Sequence, residues 1–120
     1  MLLDGAPVLI AEDEPFIALD LAASVEEAGG VVIGPAGSVR EAMAALNDNE
    51  VAAAILDVHL SDRDVTPVAE MLLERGVPII VQTGVGLPEA LQSRHPELRV
   101  HSKPISPSRI IRQLAALLRR

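Results

Sequence analysis

The sequence has no cysteine, tryptophan or tyrosine, and Phe16 is its single aromatic residue. Without cysteine there is no disulfide framework, no thiolate metal site and no thiol nucleophile, and nothing in the chain asks for an oxidising compartment. Stacking on bases or sugar rings needs several aromatic platforms, so single-strand nucleic-acid and lectin roles are poorly supplied. Positive charge is scarce as well. Ten Lys and Arg stand against seventeen Asp and Glu, a net charge of −7, which disfavours a surface built for phosphate backbones or anionic lipid. No apolar run approaches the ~20 residues of a membrane span. Met1 to Ile10, interrupted by Asp4 and Pro7, lacks the basic and apolar regions of a signal peptide. The expectation is a soluble, cytoplasmic protein with neither membrane nor nucleic acid as a partner.

What is present is aliphatic. Hydrophobic residues make up 49% of the 120, enough for one domain of ordinary size, and residues 1–120 show no linker, internal repeat or low-complexity segment. Short apolar runs at Val8–Ala11, Val31–Ile33, Val51–Leu56 and Val77–Val81, with a weaker one at Arg99–Ser102, alternate with stretches of helical period. That is the pattern of strands buried on both faces and covered by helices. Pro15 opens a helix of about fourteen residues striped by Ile17, Leu21, Val25 and Ala28 and stopped by Gly29-Gly30. Ser38 and Glu41 form a capping box ahead of Val39, Ala42, Met43 and Leu46. The polar loop Ser61–Asp64 leads into a helix with Val65, Val68, Ala69 and Leu72 on one face.

Gly84, Gly86, Pro88 and Pro96 leave room for about two helical turns between Leu87 and Arg94. Ser106-Pro107 caps a last helix striped by Ile110, Ile111, Leu114, Leu117 and Leu118, with Arg109, Arg112, Arg119 and Arg120 making it locally basic. The expected fold is α/β: a (βα)5 doubly wound, five-stranded parallel sheet of flavodoxin-like type, order 2-1-3-4-5.

In such sheets ligands bind beyond the carboxyl ends of the strands, where the strand order reverses, here between strands 1 and 3. Glu12 and Asp13 follow strand 1 and Asp57 closes strand 3, as a carboxylate expected to face solvent. Three converging carboxylates repel one another unless cations balance them. With no His or Cys clustered beside them they are hard oxygen donors, which favours Mg²⁺ over zinc. Thr83, closing strand 4, offers a hydroxyl to a phosphoryl oxygen, and Lys103, closing strand 5 ahead of Pro104, offers a point cation.

Glu12-Asp13, Asp57, Thr83 and Lys103-Pro104, in that order and over essentially the whole chain, resemble the receiver domain of two-component response regulators. The resemblance implies that Asp57 is the phosphoacceptor, charged by a histidine kinase, a histidine phosphotransfer protein or a small phosphodonor. It implies Mg²⁺ held by Asp13, Asp57 and the backbone carbonyl of His59, with Glu12 acting through water. Lys103 would pair with the phosphoryl group. Thr83 would swing in to shift the surface of helix 4, strand 5 and helix 5, which a downstream protein reads. On this reading the chain is a stand-alone switch and no enzyme beyond its own phosphoryl transfer and dephosphorylation.

It departs from the family in three places. Val100 stands where an aromatic residue usually rotates inward, Val58-His59-Leu60 replaces a common Met-Pro pair, and helix 4 is curtailed. Gln82-Thr83-Gly84-Val85 partly matches the Phe-Ala-Thr-Gly motif of a subgroup of small receivers. Two rivals follow. A dehalogenase-type phosphatase needs a second Asp where His59 stands, and a pseudo-receiver would bind proteins through the same fold without phosphorylation.

Overall fold

The computed structural model describes residues 1–119; Arg120, read above as part of the basic last helix, lies outside them. Five strands alternate with five helices: β1 Pro7–Ala11, α1 Pro15–Glu27, β2 Val31–Ala36, α2 Val39–Asp48, β3 Ala53–Asp57, α3 Thr66–Glu74, β4 Ile79–Thr83, α4 Glu89–Arg94, β5 Arg99–Ser102 and α5 Pro107–Leu118. The strands form one sheet in the order β2-β1-β3-β4-β5, every pairing parallel. This is the doubly wound architecture the alternating pattern predicts.

The two-residue period of the strands divides the core in two. Leu9, Ala54, Leu56 and Val81 face α2, α3 and α4, packing with Ala42, Leu46, Val68, Leu72 and Leu91. Val8, Ile10, Ala53, Ile55 and Ile80 face α1 and α5, packing with Leu21, Val25, Ile110 and Leu114. Both layers are aliphatic, and Phe16 stands outside them on α1, 79% exposed. No described helix is long and apolar enough to cross a membrane.

Caps fix the helix starts. Ser38 Oγ accepts the Glu41 N–H at 3.0 Å, the N-cap half of the box expected for α2, while the Glu41 carboxylate takes the Ser38 hydroxyl at 3.2 Å in place of the Ser38 backbone N–H. Glu14 Oε2 accepts the Ile17 N–H at 2.9 Å at the start of α1, and Ser106 Oγ accepts the Arg109 N–H at 3.3 Å at the start of α5.

β1 starts one residue early, at Pro7, and three other strands depart further from the reading. β2 continues through Gly34-Pro35 to Ala36, across an irregularity opposite Leu9–Ala11, because an edge strand can carry a proline that a central one could not. Gly34 is required there: its φ is +95°, and a Cβ would meet Ala36 N at 2.8 Å and Ile10 O at 3.0 Å. β3 and β4 start two residues later than their apolar runs, because the ladder pairs Ala54 with Ile79 and leaves Val51 and Val77 to the approaches.

Candidate functional site

Parallel strands end together, so residues following β1, β3, β4 and β5 share one rim of the sheet. Glu12 and Asp13 leave β1, and Asp57 is the last residue of β3. One carboxylate oxygen from each of the three lies within 4.8 Å of the others. Asp13 is exposed, whereas Glu12 and Asp57 are only 2% and 5% exposed. The expectation of a solvent-facing Asp57 is therefore corrected: the β3 terminus is flanked by β1 and β4, and Lys103 Nζ lies against the Asp57 carboxylate.

Lys103, one residue beyond β5, reaches across to this cluster. Its Nζ donates to Glu12 Oε1 at 2.9 Å and to Asp57 Oδ2 at 3.1 Å. Burial pulls its pKa down, but the hydrogen bonds to the two carboxylates outweigh that and hold it above the ordinary lysine value. For Glu12 burial, not hydrogen bonding, is the larger effect. Burial pushes its pKa up to about 7, against the hydrogen bonds from Lys103 and the Glu14 N–H, which favour the charged form.

Gln82, where the sequence only partly matches the Phe-Ala-Thr-Gly motif, is a member of the site. Its side chain is buried on β4, and Nε2 donates to Glu12 Oε1 at 3.3 Å. A polar residue inside the run Ile79–Thr83 was the available signal. Glu12 Oε1 thus has two donors, Gln82 Nε2 and Lys103 Nζ. Gln82 and Lys103 also border a recess of about 210 Å³ that runs towards Ile17, Leu21, Pro104 and Ile105.

Thr83 is on the same rim but is not drawn into the cluster. Its hydroxyl accepts the N–H groups of Val85 at 3.1 Å and Gly86 at 3.0 Å and donates to the Gly86 carbonyl at 3.1 Å, closing the loop after β4 on itself. Backbone contact alone ties it to strand 5, through the Lys103 N–H and the Thr83 carbonyl at 2.9 Å.

The loop after Asp57 is held by a residue of the polar stretch Ser61–Asp64 that carries no local signal of the role. Asp62 spans the N-terminus of α2, its Oδ1 accepting the Val39 N–H at 2.7 Å and its Oδ2 the Arg40 N–H at 3.1 Å. The Ser61 N–H donates to the Gly37 carbonyl at 3.0 Å alongside. The Val39 N–H is the first of the donors that hold the Asp62 carboxyl below the ordinary range. His59, whose backbone carbonyl the resemblance assigns to a metal, sits in this latched segment and bridges Asp64.

The donor set fits a hard divalent cation. Three carboxylates stand together on oxygen alone, with no imidazole in the group, which suits Mg²⁺ and does not suit zinc.

No family model matches the chain. SdrG from Sphingomonas melonis Fr1 is 36% identical, with 96% of this chain and 98% of that one covered at a TM-score of 0.78. The response regulator PhyR from Brucella abortus is 28% identical, with a TM-score of 0.77 over 95% of this chain. The curated transcriptional regulatory protein PdtaR of Mycobacterium tuberculosis is 38% identical over 77 residues, 63% of this chain. Solved receiver domains at 22–23% identity share the fold with TM-scores of 0.80–0.84. The chain belongs to the response regulator receiver family. It spans 38% of the length of PdtaR and 48% of that of the Brucella PhyR chain. As a receiver it carries its cluster at the strand ends where that family's resemblance placed Glu12, Asp13, Asp57 and Lys103.

Proposed function

We propose that this receiver is a phosphorylation switch in which Asp57 accepts a phosphoryl group. The observation that carries the reading is the convergence of Glu12, Asp13 and Asp57 within 4.8 Å, with Lys103 hydrogen-bonded to two of the three. A carboxylate oxygen of Asp57 forms the bond to phosphorus while the bond from phosphorus to the donor's histidine nitrogen, or to the oxygen of an acyl phosphate, breaks; the donor keeps that electron pair. Asp13, Asp57 and the His59 carbonyl would hold Mg²⁺, with Glu12 behind them. When bound, the ion offsets the carboxylates' repulsion and the charge of the incoming phosphate.

Lys103 leaves Asp57 Oδ2 for a phosphoryl oxygen, and Gln82 keeps Glu12 in place as it does so. Thr83 exchanges its bonds to Val85 and Gly86 for one to the phosphoryl group, which rearranges the loop ahead of α4. The face formed by α4, β5 and α5 is the output surface for a downstream protein. The phosphodonor is a histidine kinase or a phosphotransfer protein, and it approaches across α1, where Phe16 and Leu19 stand 79% and 65% exposed one turn apart. The setting is the cytoplasm.

Intact-mass measurement after incubation with Mg²⁺ and acetyl phosphate tests the reading. The expected result is one adduct of about 80 Da that is absent without Mg²⁺ and absent in a folded Asp57→Ala variant. A folded, metal-binding wild type that gains no mass would instead support a pseudo-receiver, and labelling of Asp57→Ala would move the acceptor elsewhere.

A further inference from the structure

Charge is divided sharply along the chain. Seven of the ten basic residues lie beyond residue 88, where only Glu89 and Glu97 of the seventeen acidic ones are found. The fold gathers the basic part on one side. Arg109, Arg112 and Ala116 on α5 and Arg119 at its C-cap are exposed, spaced by three or four residues and so within one narrow arc. Ile110, Ile111 and Leu114 turn the opposite way into the core. Beside α5 lies β5, the terminal strand of the sheet, carrying exposed Arg99 and Val100, the latter 38% exposed. The two elements are joined by His101 Nε2 and Gln113 Oε1 at 2.6 Å. Arg94 is neutralised by Glu70 at 2.7 Å, but Arg99, Arg109, Arg112 and Arg119 make no salt bridge among the described residues.

We infer that the β5–α5 face is a docking surface for an acidic polypeptide segment of a partner protein, carboxylates meeting these arginines and an apolar residue covering Val100. The inference rests on the reading of this face as the output surface and names the chemistry of what it takes. A second copy does not fit. A two-fold contact through the same face sets arginine against arginine, a like-charge juxtaposition that association does not tolerate. A nucleic acid fits less well than a peptide, because the net charge of −7 repels an extended polyanion that reaches beyond the patch. A short acidic segment meets the local charge and avoids the remainder. Guanidinium groups suit it, since each can take a carboxylate with two parallel hydrogen bonds.

The test is an amide NMR titration of the full chain at low salt with three probes. They are a synthetic helical peptide bearing Glu at i and i+4 around a Leu, its Glu-to-Lys counterpart, and a single-stranded DNA oligonucleotide of matching charge. The acidic peptide is expected to shift the amides of Arg99–Ser102 and Arg109–Arg119, and to bind about tenfold more weakly to Arg99→Glu/Arg112→Glu and by a smaller factor to Arg99→Lys/Arg112→Lys, which keep the charge but lose the paired hydrogen bonds. Asp57 labelling should be unchanged in both variants. The inference is overturned if those amides do not respond, if the oligonucleotide binds them more tightly than the peptide, or if the free chain self-associates through them. Peptide seating without Asp57 labelling would remove the phosphoacceptor reading and leave this one standing; labelling without seating would do the reverse.

Discussion

Lys103 Nζ lies between Glu12 Oε1 and Asp57 Oδ2, 2.9 and 3.1 Å away, and is the one cation hydrogen-bonded to the buried carboxylates at the strand ends among the described residues. Removing one partner of a buried ionic group leaves the others uncompensated, which costs more than the group's net contribution. Lys103→Met should therefore destabilise the fold by about 1–3 kcal/mol, and adding Asp57→Ala should recover part of that by removing one of the orphaned charges. Urea unfolding of the four proteins of this double-mutant cycle measures the coupling. Additive effects of the two changes would mean that the lysine and the aspartate are not energetically linked.

The pKa of Glu12 near 7 makes a second expectation. In the metal-free protein the folded state holds a proton on Glu12 that the unfolded chain releases at its ordinary value of 4.5, so between these values the folded state binds more protons. Stability from this group is then greatest below about 4.5, falls as pH rises towards 7 and is level above it. Glu12→Gln lacks the titration. Thermal melts of the two proteins in metal-free buffer should show wild type losing stability relative to Glu12→Gln from pH 5 to pH 7.5. A constant difference between them would mean that Glu12 is ionised throughout at no cost.

The site was legible in sequence where position along a strand decides function. Glu12-Asp13, Asp57, Thr83 and Lys103 each follow or close a strand run, and parallel strands deliver such residues to one rim whatever the helices between them do. Asp62 was not legible, because its role is a contact with the α2 N-terminus 22 and 23 residues away, made in addition to the local Ser38 cap that the sequence did advertise. Gln82 meets Glu12 across 70 residues and was marked only by being polar in an apolar run. The true end of β2 was hidden for a different reason. Gly34-Pro35 reads as a stop in any local pattern, and only the position of β2 at the sheet edge lets the strand pass through it.

Asp62 joins the loop after Asp57 to α2, so its loss should be felt at both ends. Asp62→Ala is expected to speed hydrogen exchange at the Val39 and Arg40 amides and to slow Asp57 labelling, because the segment carrying the His59 carbonyl loses its anchor. Asp62→Asn retains an acceptor oxygen and should fall between the two. Exchange measured by NMR beside labelling measured by mass separates the effects. Faster exchange with an unchanged labelling rate would confine Asp62 to capping.

Phe16 is the only aromatic residue, yet the fold leaves it 79% exposed while an aliphatic core closes without it, with Leu19 at 65% on the same face of α1. Large apolar side chains in that position contribute nothing to the core and cost little when truncated, so Phe16→Ala/Leu19→Ala should unfold at nearly the wild-type temperature. A protein phosphodonor that docks over α1 would lose an aromatic anchor, and the rate of transfer from it should drop about tenfold or more. Acetyl phosphate makes no such contact. Its labelling of Asp57 should proceed at the wild-type rate in the same variant, and the comparison separates docking from chemistry. Equal slowing with both donors would place Phe16 and Leu19 in the shaping of the Asp57 site, whereas no slowing with either would leave the α1 face without a part in donor recognition.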